Sequence, residues 1–445
     1  MADEKSCVLS LLLTTVGAGV LSYPLAAVWS GTALFLVILA SLLGASFLCS
    51  LIIADFAFPH RGKAHNFEEL VVAVLGPRFY AFASAQVILG LLGCIVGFLC
   101  IAGDLGAQAT GYSRAAVIFV TAAALVPLSG CQRVHSLRGV SALGIAGAVA
   151  VIALLVQRGA AAALSGAASA PIAPASAAAS LRAVACVLYA VGNQVVGTTI
   201  FFEASERTQR AWRGTATVAF AIIALLYVAA ALGGAAAFGE ATVGDVLLNF
   251  DVNDAVANAA KVVMAVHVIL VIPLDAVPLR RSLELALHTC GRFRDSPLLV
   301  TDEASGASLS AGDGADASAG LLVDDVHPAG SSGSQSILSC QGGVQTALII
   351  FVPAAVAVFF PQINVFFGIF GATLGVSGTF LFPSLFLLKK ARLLERGEWS
   401  DAGDYEPTAS ASTALGARAQ GYALLLFSLL SAVICTGICL YDLFS

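Results

Sequence analysis

Residues Thr14–Pro24, TTVGAGVLSYP, lie inside an apolar segment, 7–29, whose length suits a membrane-crossing helix. About 20 residues at roughly 1.5 Å each span a hydrocarbon core of ~30 Å. The centre of this segment is nevertheless unsuited to a continuous helix. Gly17 and Gly19 lower the cost of leaving helical geometry, and Pro24 removes a backbone donor. Thr14, Thr15 and Ser22 add hydroxyls at the same depth. A helix can break in a bilayer only where protein or a water-filled cavity satisfies the freed N–H and C=O groups. The stretch therefore reads either as a discontinuous helix whose exposed backbone binds a small polar solute, or as a kinked helix packed through small residues.

The rest of the chain has the composition of a membrane protein. Hydrophobic residues make up 59% of its 445 positions and charged residues 11%, with a mean hydropathy of +0.92. A soluble domain of this length could not hide so much apolar surface from water. The net charge of −5 is divided among loops, and no basic patch suits a nucleic acid. Ten cysteines include no Cys-x-x-Cys pair and suggest neither a disulfide framework nor a metal site. No cofactor is expected. The N-terminus MADEKSCVLS lacks the basic region and cleavage site of a secretory signal, so the first span is expected in the mature protein.

Apolar runs predict eleven spans, at 7–29, 31–56, 80–104, 114–129, 137–157, 180–202, 215–238, 256–277, 342–360, 363–388 and 420–442. Asn66–Gly76 reads as a short amphipathic helix on the membrane surface, an Ala/Ser/Pro-rich loop covers 158–179, and an acidic loop covers 239–254. The segment 295–341, rich in Ser, Ala, Gly and Asp, is expected to be disordered. Placing the N-terminus in the cytoplasm puts all of the 22 basic residues inside except Arg114, Arg158, Arg182 and Lys261. That bias supports both the count and the polarity. No soluble catalytic domain remains outside the spans, so the chain is not expected to be an enzyme.

A second interrupted run, LYAVGNQVVGTTIFFE (Leu188–Glu203), holds Asn193 and Gln194 between Gly192 and Gly197. Amides at mid-depth are costly unless hydrogen-bonded within protein. If spans 1–5 (7–157) and 6–10 (180–388) are two repeats, the two breaks occupy corresponding places. Five spans is an odd number, so the second repeat must be inverted. Paired broken helices in an inverted repeat point to a substrate site at the midplane. Its candidate residues are Thr14, Thr15, Gly17, Ala18, Gly19, Tyr189, Asn193 and Gln194; the other reading of the amides is interhelical packing. In the tenth span Gly368, Gly371, Gly375 and Gly378 share one helix face, which reads as a surface for close packing.

These motifs together resemble the amino acid/auxin permease family. TTVGAGVLSYPLA is similar to that family's first span, and YAVGNQ…FFE to its sixth, where Glu203 matches an acidic residue at the inner end. IPLDAVPLRRSLE (Ile272–Glu284) resembles the end of its eighth span, and FFGIFGATLGVSGTFLFPSLFLLK (Phe366–Lys389) its tenth. The resemblance implies an all-α leucine-transporter-like 5+5 inverted repeat with an eleventh helix, and secondary transport of amino acids by alternating access. Sodium-coupled relatives carry hydroxyl residues in span eight, where this chain has Ile269, Leu270, Val271 and Ile272. That departure favours proton coupling or exchange over Na⁺. Lys261, His267 and Asp275 are the titratable candidates for coupling, and Glu203 is expected to pair with Arg207 as a cytoplasmic latch. The expected partners are an amino acid substrate, the lipid bilayer, and proteins that engage the 295–341 loop. The membrane is expected to be the plasma membrane or a vacuolar or lysosomal one. The alternative is a sensor that binds an amino acid without moving it and signals through that loop.

Overall fold

The computed structural model describes residues 2–129, 138–167, 170–295, 340–360, 363–399 and 409–444. The described residues are helical, with α1 Glu4–Thr15, α2 Tyr23–Ser30, α3 Thr32–Ala57, α4 Phe67–Leu75, α5 Tyr80–Thr110, α6 Arg114–Ser129, α7 Arg138–Leu164 and α8 Ala177–Ala190 in the first half. Then follow α9 Gln194–Glu203, α10 Glu206–Arg210, α11 Trp212–Phe238, α12 Ala255–Asp295, α13 Cys340–Phe359, α14 Ile363–Phe370, α15 Phe382–Glu395 and α16 Ala414–Phe444. Two π-helical stretches, Gly371–Gly375 and Ser377–Leu381, join α14 to α15. Among the described residues there is no strand, only isolated bridges at Ala2–Ala204 and Arg61–Ala64.

Among the described residues, eight helical segments are long and apolar enough to cross a membrane. The pair Glu4–Thr15 and Gly19–Ser30, bent by 51°, makes a ninth if counted as one span. Two shorter apolar helices, Arg114–Ser129 and Gly343–Phe359, fall below that length. Exposed Leu, Val and Phe side chains are scattered over the outward faces of these helices, and α16 presents Leu426, Leu429, Leu430 and Val433 outward. Such an apolar surface suits lipid rather than water.

The helix α4 begins at Asn66, whose side chain accepts from Glu69 N–H at 2.8 Å, and ends at Gly76, where φ is 99°. Phe67, Leu70 and Val71 are buried against protein, with α5 and α15 among the neighbours. The loop expected at 158–179 is shorter, because α7 continues through the Ala160–Ala163 run to Leu164; alanine is the strongest helix former. Most of the segment expected to be disordered, 296–339, lies outside the described residues.

Span one and span six run antiparallel through the centre, with α2 against α8 and α1 against α9. Span ten crosses behind them at backbone distance. A Cβ on Gly371 would stand 2.4 Å from Ala185 C=O and 2.5 Å from Tyr189 N. Packing is therefore the role of Gly371, as the spacing suggests, whereas Gly375 and Gly378 also face a cavity. We expect Gly371→Ala to overpack this crossing by about 1–3 kcal/mol or more. Thermal unfolding in detergent should then fall by several degrees. Gly44→Ala, whose added Cβ meets nothing within 4 Å, should not change it.

Candidate functional site

The break in span one is built stepwise. Thr15 ends α1, Val16 N–H still reaches Leu12 C=O at 2.7 Å, and Gly17 turns extended at φ −120° and ψ −145°. A 3-10 turn, Ala18–Ser22, restarts the chain toward α2. Its first intrahelical bond is Val20 N–H to Gly17 C=O at 3.3 Å, so the N–H groups of Ala18 and Gly19 precede the hydrogen-bonded ladder. In span six, α8 ends at Ala190, and α9 begins at Gln194. The two breaks touch: a Cβ on Gly19 would lie 2.6 Å from that of Ala190. Glycine is required there by close approach.

The freed polar groups find partners on neighbouring spans. Tyr227 of α11, fully buried, places its hydroxyl 2.6 Å from Thr15 C=O and 2.9 Å from Ala190 C=O, the last carbonyls before each break. Asn193 donates to Thr15 Oγ1 at 2.8 Å, and that hydroxyl donates to Leu11 C=O at 2.7 Å. Gln194 donates to Ser46 Oγ at 2.8 Å and to Ser46 C=O at 3.0 Å, while Ser46 donates to Val191 C=O at 2.8 Å. The Gln194 Oε1 atom is buried without a partner.

Beside the breaks lies a cavity of about 130 Å³. Span one contributes Thr14, Thr15, Gly17 and Gly19, and span six contributes Tyr189, Gly192, Gln194 and Val195. Gln86, Cys94 and Phe98 close it from α5, and Phe370, Gly375 and Thr379 from span ten. The stated site residues Thr14, Thr15, Gly17, Gly19, Tyr189 and Gln194 are thus brought to one space. Asn193 is not on its wall; its amide is used to join the two breaks. Ala18 contributes backbone at the turn.

Gln86, Tyr227 and Ser46 escaped the sequence reading. Gln86 donates to Leu374 C=O at 2.7 Å and accepts from Ser377 Oγ at 2.5 Å, holding the π-helical part of span ten. π-Helical turns recur at functional sites because they leave carbonyls outside the regular ladder. A lone Gln within an apolar run was the available signal for Gln86. Tyr189 stacks on Phe367 at 4.1 Å and 14°, Phe370 stacks on Phe366, and Tyr189 and Phe370 both stand on the cavity wall.

The coupling candidates are dispersed. Lys261, buried, donates to Phe250 C=O at 3.1 Å rather than snorkelling to the surface. His267 is buried on α12. Asp275 lies within electrostatic reach of Cys94 and Tyr189, both on the cavity wall. Glu203 does not form the expected latch with Arg207, since α9 stops and the chain turns at Ala204 before α10 begins. Its backbone carbonyl instead accepts from Ala2 N–H at 2.9 Å. The ion pairs form one residue set later, from Arg61 and Arg210 to Glu206, each at 2.9 Å.

A family model described as "Transmembrane amino acid transporter protein" matches residues 4–398. The chain belongs to that family. Sequence comparison with curated proteins gives no match. Among solved structures, the transporter resembles MhsT in complex with L-phenylalanine with a TM-score of 0.50 at 13% identity, covering 96% of this chain and 98% of that one. It also resembles a manganese transporter of Eremococcus coleocola, with a TM-score of 0.49 at 11% identity over 98% and 92% of the two chains. The first likeness is one of fold, the leucine-transporter type.

For the transporter, Tyr227→Phe keeps the ring and removes the one donor shared by two buried carbonyls. Leaving buried groups unsatisfied costs about 1–3 kcal/mol. Thermal unfolding should fall by that order, with uptake reduced in the protein that still folds.

Proposed function

We propose that this chain is a secondary amino acid transporter working by alternating access, and that the cavity at the paired breaks is its substrate site. The observation that carries this reading is the shared wall: two discontinuous helices of opposite direction meet one cavity through backbone and polar side chains. The N–H groups of Ala18 and Gly19 would meet the substrate carboxylate, aided by the positive end of the restarting helix. The Gln194 Oε1 atom and the carbonyls ending α8 would meet the ammonium. Counting both shorter apolar helices and the bent pair gives eleven spans, with the N-terminus in the cytoplasm.

From the breaks the lining runs toward the end of the spans nearer the N-terminus, through Thr14, Gln86, Val196 and Thr379, while Phe98 and Phe370 lie toward the other end. With a cytoplasmic N-terminus this arrangement is the inward-facing state. The other end is shut by the aromatic group at Tyr189 and by Ser22, which donates to Gly244 C=O of the opposite loop at 2.8 Å. Asp275 is the candidate proton carrier, as the coupling residue whose charge acts on Cys94 and Tyr189 of the cavity wall.

Uptake into proteoliposomes, with twenty amino acids tested under imposed pH and Na⁺ gradients in turn, tests the reading. Gly17→Ala should keep transport, because its Cβ would only meet Phe98 at 4.0 Å. Gly17→Val should abolish uptake while the protein remains in the membrane. Asp275→Asn should reduce pH-driven accumulation at least tenfold yet retain counterflow. Stimulation by Na⁺ alone would refute the proton assignment.

A further inference from the structure

A second cavity, of about 310 Å³, lies on the opposite side of the aromatic closure. Its wall includes Trp29 of α2, Asp104 of α5, Asn364 of α14, and Thr242 and Asp245 of the loop between α11 and α12. The two cavities are stacked along the same spans. On α5 the substrate cavity uses Gln86 to Phe98, and Asp104 follows six residues on, roughly 9 Å along the helix. On span one the order is Thr14–Gly19, then Leu25 and Trp29; span ten, running the other way, gives Thr379–Phe370, then Asn364 and Ile363. The second cavity is thus a vestibule on the same axis.

Its polar groups are arranged for a cation. Asp245 is 2% exposed; its Oδ1 accepts from Leu247 N–H at 3.0 Å, and its Oδ2 has no partner. The charge of Asp104 is met by Arg114, which binds its Oδ1. Asp245 makes no such contact ion pair among the described residues: the Lys261 ammonium acts on it through space but is hydrogen-bonded to Phe250 C=O. An unpaired buried carboxylate is costly and favours a positive guest or a proton. Water takes about 30 Å³ in the liquid, so the space exceeds the need of a bare metal ion and suits an organic group. The Trp29 indole on the same wall offers an apolar and π surface to an alkylammonium.

We propose that this vestibule binds a protonated primary amine, with Asp245 as its anionic anchor, ahead of the broken helices. The site rests on the reading of the chain as an amino acid transporter, whose substrate brings such a group. The loop that carries Asp245 also carries Gly244, whose carbonyl accepts from Ser22 in the span-one break. A Cβ on Gly244 would lie 2.3 Å from Asn364 Oδ1, so the loop is seated tightly against span ten. Occupation at Asp245 is therefore transmitted directly to the segment that closes the pathway on this side.

Burial pushes the Asp245 carboxyl up to about 7. The ionisable groups that face it are Asp104 on α5 and Lys261 on α12; the walls from span one, Leu25 and Trp29, and from span ten, Ile363 and Asn364, carry none. Below that pH a proton competes with the amine; above it the carboxylate is free. Amine binding should weaken as pH falls.

The test uses full-length protein in detergent with Trp212→Phe and Trp399→Phe, which leaves Trp29 as the sole tryptophan of the three. Phenethylammonium chloride, titrated at pH 8, should give a saturable change in Trp29 fluorescence. Benzyl alcohol, the uncharged control, should give none. The signal should disappear in Asp245→Asn, and the apparent Kd should rise at least tenfold at pH 5.5. Calorimetric titration of the otherwise unaltered protein against Asp245→Asn replaces fluorescence if the tryptophan variant fails to fold. Equal amine binding by wild type and Asp245→Asn, or no binding by either, overturns the proposal. In proteoliposomes Asp245→Asn should raise KM at least fivefold with kcat within twofold. Absence of any uptake by wild type, with amine binding intact, would instead refute the transport reading and leave the vestibule site standing.

Discussion

The Tyr227 hydroxyl stands between the last carbonyl of α1 and the last carbonyl of α8, and the centre of the molecule depends on that placement. A helix interrupted in hydrocarbon leaves backbone groups without partners, each costing several kcal/mol if unmet. Here two interruptions are set beside each other so that one buried side chain serves both. Asn193 adds a second tie through Thr15, and Ser46 with Gln194 a third through Val191. What remains unbonded after these ties, the N–H groups opening the 3-10 turn and the buried Gln194 oxygen, belongs to the turns beside the cavity that Gly19 and Gln194 line.

Much of this was legible in residue order. Gly17, Gly19, Gly192 and Gly197 marked the breaks because glycine in a membrane helix has few other uses than close approach and loss of helical geometry. The amides at 193 and 194 marked depth-inappropriate polarity. Sequence could not assign them different tasks, since Asn193 and Gln194 differ only in which neighbour their side chains reach. Tyr227 was invisible for a similar reason. A single tyrosine in an alanine-rich span resembles any aromatic core residue until a tertiary contact gives its hydroxyl a partner. The latch expected at Glu203 failed on local geometry: pairing one turn ahead presupposes a continuous helix, and the chain turns at Ala204.

The two cavities give the fold a functional direction. Between them lie the ring stack of Tyr189 and Phe367 and the Ser22–Gly244 hydrogen bond, one apolar barrier and one polar tether. Neither of these two contacts is an ion pair: one is a neutral hydrogen bond and the other a stack of aromatic faces. Neutral hydrogen bonds contribute about 0.5–1.5 kcal/mol net. A barrier built from such terms can be reversed by the binding energy of one small solute, which a transporter must do in every cycle.

Span ten carries a quieter consequence. Its π-helical stretches hold more residues per turn than the α-helices on either side, and Gln86 occupies the carbonyl this geometry sets free at Leu374. The wide turns therefore act as slack wound into an otherwise rigid rod. Taking up that slack would rotate Gly378 and Thr379 relative to Phe370 without unfolding any segment. One amide on α5 thus fixes the phase between the two ends of the tenth span, one lining the larger cavity with Ile363 and Asn364 and the other lining the smaller with Gly378 and Thr379.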